Sequence, residues 1–157
     1  MIAIIGILAA IAIPQYVRFQ MKSKTVEARA NLAAIRTAQA ALFGENGSYV
    51  AAAPVPAAIP GSNPVPFAPL TQGFQELGFN SSGRVYFQYA VALSADRTGY
   101  TAEAAADIDD DGARQYWTYP IPDASATLVD GPIGCDAPNL TSRQIAPCVS
   151  SHGQSVF

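Results

Sequence analysis

Polarity divides the chain sharply near its start. Met1 to Pro14 reads MIAIIGILAAIAIP, with no charged or polar side chain. From Gln15 the run QYVRFQMKSKTVEARANLAAIRTAQAALFG turns amphipathic. Ala28, Leu32, Ile35, Ala38 and Leu42 recur at intervals of four, three, three and four, which is one stripe along a helix. Lys24, Glu27 and Arg29 fall largely off that stripe. Alanine, the best helix former, is abundant. Gly44 and the following Glu45-Asn46-Gly47-Ser48 supply a stop signal. One helix is therefore expected from about residue 1 to 43, bent or loosened between Gly6 and Pro14, because a proline removes a backbone bond and clashes with the preceding turn. The first half has no polar face and must be buried on all sides; the second half offers one apolar stripe to a head domain.

Beyond the helix, Val50 to Gly83 holds Pro54, Pro56, Pro60, Pro64, Pro66 and Pro69, half of the chain's prolines. The pattern predicts an irregular or extended loop with one short helix near Thr71 to Leu77. Three strand candidates follow: Val85 to Leu93, Tyr100 to Ala106 (weak by propensity) and Arg114 to Tyr119. Ala95 to Gly99 and Asp107 to Gly112 read as the turns between them. The expected fold class is α+β: a long N-terminal helix packed on a small antiparallel sheet of about three to four strands. The tail from Pro120 to Phe157 reads as mostly loop.

Composition narrows the function classes. The 157 residues suit one domain, and only 13% are charged, about half the usual share. A net charge of -3 does not predict nucleic-acid binding. Cys135 and Cys148 belong to no CxxC motif, and the one histidine, His152, cannot complete a zinc site with them alone. A disulfide in an oxidising compartment is the economical reading, and two reduced thiols the alternative. Closing that loop of about 14 residues contributes on the order of 3 kcal/mol in the chain-entropy model.

The apolar start is about 21 Å long as a helix, short of the roughly 30 Å of a bilayer core. It lacks the basic n-region of a signal peptide. The run IIGILAAIAIPQY, Ile4 to Tyr16, closely resembles the N-terminal helix of type IV pilins and pseudopilins. GFQELGF followed by GRVYFQYAV also looks like pilins of the deltaproteobacterial kind, less specifically. The resemblance implies the type IV pilin fold. It also implies an upstream stretch of roughly eight mature residues, preceded by a basic leader that is cleaved, so that Met1 is an internal methionine taken as a start or the sequence is trimmed. Eight more residues satisfy the spanning length. The leader also resolves a conflict of orientation: Arg18, Lys22 and Lys24 alone place the head in the cytoplasm by the positive-inside rule, whereas the cysteines place it outside. In filaments of this family the stretch matching Gly6 to Pro14 is commonly unwound.

Candidate chemistry is sparse. Asp107-Ile108-Asp109-Asp110-Asp111-Gly112 opens like a calcium loop, with Asp107, Asp109 and Asp111 as ligands. Thr118 stands where an EF-hand places its bidentate glutamate, and an acidic turn kept soluble by its charges is the plainer reading. No cofactor other than calcium is suggested. His152 lies in a Ser-Ser-His-Gly tail without a nucleophile motif, and no pocket of converging polar groups is predicted, so the chain is not expected to be an enzyme.

Together these readings assign residues 1–24 to a hydrophobic anchor or filament-core helix and 25–157 to a globular head. The head comprises an amphipathic helix (25–44), a proline-rich loop (50–83), an antiparallel sheet (84–119) and a disulfide-stapled C-terminal loop (120–157). The resemblance implies a type IV pilus subunit that assembles by helix bundling through Ile4, Ile5, Gly6, Ile7, Leu8, Ile11, Ile13, Pro14, Tyr16 and Phe19. Its implied partners are further copies of itself, an inner-membrane assembly machine, and the membrane before assembly; its final location is an extracellular filament serving adhesion or motility. The alternatives are a major pseudopilin of a type II secretion system, or a membrane-anchored binding module that does not polymerise.

Overall fold

A computed structural model describes residues 2–68, 73–81 and 83–157. Helix α1 spans Ile2–Asn46 and runs without a break through Pro14. At 1.5 Å per residue its 45 residues reach about 68 Å. The expected loosening between Gly6 and Pro14 is therefore absent. The turns around Pro14 are exposed, with no strand or loop covering them among the described residues, and the alanine-rich flanks favour the helix. The helix also ends about three residues later than expected, where Gly47 takes a positive φ of 70° and its N–H reaches the Phe43 carbonyl.

Seven strands follow among the described residues: β1 (Ala52–Val55), β2 (Val65–Pro66), β3 (Arg84–Val85), β4 (Gln88–Leu93), β5 (Tyr100–Ala106), β6 (Gln115–Ile121) and β7 (Ala146–Pro147). The main sheet has the order β1-β4-β5-β6-β7 and is antiparallel throughout, while β2 and β3 form a separate pair. The α+β architecture is as expected, but the sheet has five strands rather than three to four. The two extra strands lie at its edges, where pairing needs only a few residues and proline is tolerated. The single strand foreseen over Val85 to Leu93 divides into β3 and β4 at Tyr86. The tail carries an edge strand and a 3-10 turn at Ala137–Asn139. The short helix foreseen near Thr71 to Leu77 falls partly outside the described residues, and positions 73–78 form turns.

The helix stripe and the inner face of the sheet make the core. Ala28, Leu32 and Ile35 are fully buried, with Ala38 and Leu42 packed at the margin. They meet Tyr100, Ala102 and Ala104 of β5 and Trp117 and Tyr119 of β6. Alanines on β5 let the helix approach closely, which explains why a segment of weak strand propensity sits at the sheet's centre. The proline-rich loop is part of this core. Its Phe67, Phe74 and Phe79 lie 5.6 Å apart between ring centroids, and Phe67 and Phe79 each stand 6.3 Å from Tyr89.

Polar groups fix the register of helix on sheet. The Glu27 carboxylate accepts the Tyr86 N–H at 3.0 and 3.1 Å, and the Tyr89 hydroxyl donates to it at 2.9 Å. Asn31 donates to the same hydroxyl at 2.9 Å. Buried Gln39 accepts the Val50 N–H at 3.0 Å and donates to the Val50 carbonyl, closing the turn from helix to sheet.

On the outer face, the C-terminal loop covers Glu103 of β5. Its side chain is 0% exposed; one oxygen accepts the N–H of Ile133 at 2.7 Å and of Gly134 at 3.3 Å, and the other has no partner among the described residues. The Cys135–Cys148 disulfide, with Cα atoms 5.9 Å apart, ties this loop to the strand edge at β7. Burial raises the Glu103 carboxyl to about 7, against the opposing pull of the backbone N–H groups.

Two outcomes are expected. Leu32→Ala costs on the order of 3 kcal/mol, read by urea unfolding in detergent through Trp117 fluorescence. For Glu103 the folded chain holds a proton between pH 4.5 and about 7 that the unfolded chain has released. Stability therefore declines as pH rises through that window, by at most ~3 kcal/mol. Glu103→Gln removes that slope. The difference between the two pH curves isolates Glu103 from Glu27, which burial also raises, and from His152, which burial lowers.

Candidate functional site: the exposed apolar helix

The feature that a self-sufficient fold does not explain is the free half of α1. Ile4, Ile5, Ile7, Leu8, Ile11 and Ile13 are each at least 60% exposed, and Phe19 reaches 70%. Gly6, Pro14 and Tyr16 are exposed among them, so all ten residues singled out on this segment lie on the free helix. Burial against the head starts at Met21, where partly buried Met21 and buried Thr25 precede the core stripe. This helix is apolar and long enough to cross a membrane by length and composition, and its most apolar window is 0% buried.

Such a surface exceeds what a soluble monomer leaves in water. Burying each of the six aliphatic side chains is worth roughly 1.5–3 kcal/mol, or on the order of 10 kcal/mol together. That is comparable with the free energy lost on immobilising one protein against another. The segment can therefore sustain association without help from the head. Ala3, Gly6 and Ala10 recur at spacings of three and four, giving one strip where a second helix can come close.

At the neck, α1 changes from apolar to basic. Arg18 and Lys22 are exposed and engage no partner among the described residues. The next cations rest on the head. Lys24 donates to the Ser62 carbonyl at 3.2 Å and lies 4.6 Å from the Tyr86 ring centre. Arg29 stands 4.4 Å from the Trp117 ring and Arg36 5.4 Å from that of Tyr119. The stripe pattern missed these residues, because ring stacking uses the flank of a helix rather than its apolar face. Gln39 was legible in principle: it lies four residues past Ile35, on the stripe itself.

The acidic turn brings Asp107, Asp109 and Asp111 together, with one carboxylate oxygen of each within 4.8 Å of the others. Two of the three already serve the turn. Asp107 accepts the N–H groups of Asp111 and Gly112 at 3.1 and 3.0 Å, and Asp111 accepts that of Ala113 at 2.7 Å. Burial and the neighbouring Asp111 raise the Asp109 carboxyl. Calcium asks for six to eight oxygens. Thr118, at the EF-hand glutamate position, is buried in β6 opposite Glu103. The residues thus fit only the opening of a calcium loop, and the turn is closed by its own hydrogen bonds.

Among curated proteins, a 48-residue stretch is 56% identical to the type IV major pilin protein PilA of Myxococcus xanthus (strain DK1622). The stretch amounts to 31% of this chain and 22% of that protein. No family model and no solved structure matches. The similarity supports the type IV pilin family over that stretch, and a long N-terminal helix on an antiparallel sheet agrees with the α+β pilin fold.

Without detergent the chain is expected to self-associate through this segment. Replacing Ile5 and Leu8 by serine shifts it toward monomer in sedimentation velocity, with an unchanged far-ultraviolet spectrum of the head.

Proposed function

We propose that this chain is a structural subunit of a type IV pilus, with a mechanical rather than a catalytic role. The observation that carries the reading is the free, wholly apolar half of α1 standing out from a complete head. The resemblance to a major pilin over 48 residues supports it. In this reading residues 1–24 form the anchor and filament-core helix, and residues 25–157 form the head. The helix resides in the inner membrane before assembly. An assembly machine in that membrane then moves it into a bundle of like helices.

Head-to-tail contacts between identical subunits extend into a helical filament when their rotation does not close on itself. Helices bury Ile4, Ile7, Leu8 and Ile11 against one another, and Gly6 and Ala10 allow close approach. Pro14 leaves the Ala10 carbonyl without an intrahelical donor, which makes this turn the one that yields most readily when neighbours compete for it. The heads face outward, and the disulfide-tied loop lies on the exposed side. The acidic turn at Asp107, Asp109 and Asp111 is a surface feature of that head; a calcium ion there would add to the head's rigidity and is not required for bundling.

The test is intact-protein mass spectrometry of filaments sheared from the native cells. The reading expects the chain in the sheared fraction, with Cys135 and Cys148 oxidised. Ile11→Asp, which places a charge in the bundle, is expected to leave the head folded and to abolish surface filaments. A protein found only in membranes, with filaments unaffected by Ile11→Asp, overturns the reading.

A further inference from the structure

Two grooves run end to end where α1 meets the C-terminal residues. The lower one, about 450 Å³, is floored by Pro14, Val17, Met21 and Phe157, with Arg18 on its rim and Asp109 at its side. The upper one, about 220 Å³, is bounded by Lys22, Arg29 and Gly153. Gln154 borders both, so the two adjoin there and together make a stepped trough. Arg18, Lys22 and Arg29 are four and seven residues apart, within one narrow stripe of the helix. The trough is therefore apolar toward the membrane-embedded end of α1 and cationic toward the head.

We propose that this trough binds an anionic phospholipid. The phosphate sits between Lys22 and Arg29 with Arg18 below, and the first part of an acyl chain lies on Pro14, Val17, Met21 and Phe157. The inference deepens the membrane-anchored stage of the reading above and rests on it. Three features carry it. Arg18 and Lys22 have no partner among the described residues, so their charge is free to be met by a ligand. Arg29 is held over Trp117, which presents its guanidinium to the upper groove without a competing carboxylate. The order of apolar floor and cationic rim along α1 matches the order of acyl chain and phosphate along a lipid whose chains lie beside Ile4 to Ile13. Asp109, the one acidic residue in the trough, borders only the lower groove, away from Lys22 and Arg29. Gly153 is required in the wall: its φ is 68°, and a Cβ there would lie 2.8 Å from the Trp117 ring.

The experiment is flotation of the full chain with vesicles of phosphatidylcholine, alone or with about a third phosphatidylglycerol. Three cations at roughly fivefold each predict binding about 100-fold tighter to the anionic vesicles. Lys22→Gln and Arg18→Gln, both exposed positions, should each lose about fivefold on anionic vesicles and nothing on neutral ones. Arg36→Gln, higher on the head, should lose nothing. The single Trp117 supplies a second readout: a short-chain phosphatidylglycerol below its micelle concentration shifts its emission saturably, and inorganic phosphate does not. Equal losses in Lys22→Gln and Arg36→Gln overturn the site in favour of diffuse attraction. Equal binding of wild type and Lys22→Gln to both vesicles overturns the inference and leaves membrane anchoring intact. Failure to float with either vesicle overturns the anchored reading itself.

Discussion

Everything in this molecule depends on one helix having to satisfy two environments. The packing of Ala28, Leu32 and Ile35 on β5 and β6 fixes where the head sits along α1. That position leaves residues 3–20 largely exposed, because burial against the head begins at Met21. A shift of the head by one turn toward the N-terminus would cover part of the apolar segment. It would also pull Glu27 off the Tyr86 N–H and Gln39 off Val50. Those bonds are directional, and leaving the half-buried Glu27 carboxylate or the buried Gln39 amide unmet costs more than any one apolar contact returns. The polar groups of the interface therefore set how much helix remains free.

The helix could be read from sequence because its two halves follow simple rules. Complete apolarity marks the first half, and a spacing of three and four marks the second. Ala28, Leu32 and Ile35 fall where that spacing puts them. The type of the sheet and its three central strands were also legible, including β5 despite its alanines. The edges were not. β1 and β7 are four and two residues long, and their pairing is fixed by tertiary context: β1 by the turn that Gln39 closes, β7 by the tether from Cys148 to Cys135. Nor did the proline-rich stretch read as core, because its phenylalanines are spaced irregularly. They converge only when the loop folds back over Tyr89.

Of the candidate site, the apolar residues could be named in advance but the cations could not be sorted. Arg18, Lys22, Lys24 and Arg29 look alike in a sequence. The fold sends Lys24 to Ser62 and Tyr86, sets Arg29 on Trp117, and leaves Arg18 and Lys22 unengaged. Glu103 was passed over for a similar reason. A lone acid in an alanine-rich strand suggests a solvated position, yet the C-terminal loop closes over it. The chain tolerates this because two backbone N–H groups meet one oxygen and the carboxyl can keep its proton up to about pH 7.

On the function proposed above, the energetic difference between membrane and filament constrains how the subunit passes from one to the other. Moving Ile4 to Ile13 from lipid into a helix bundle exchanges one apolar surrounding for another, so the hydrophobic effect that keeps the helix out of water contributes little to that step. What remains is close packing along Ala3, Gly6 and Ala10, plus whatever happens at the neck. There the charges change partners. On the reading proposed above, lipid phosphates balance Arg18 and Lys22 in the membrane, whereas a filament must balance them with protein or water. Asp109 lines the lower groove, Asp107 and Asp111 cluster with it, and Asp110 stands against Gly61. An acidic turn of a neighbouring copy brought against the basic neck would replace the lost phosphate. The balance between the two states then rests on a few surface charges, each worth about 1 kcal/mol and screened by salt. On that reading, modest work from outside suffices to drive the exchange between the two states.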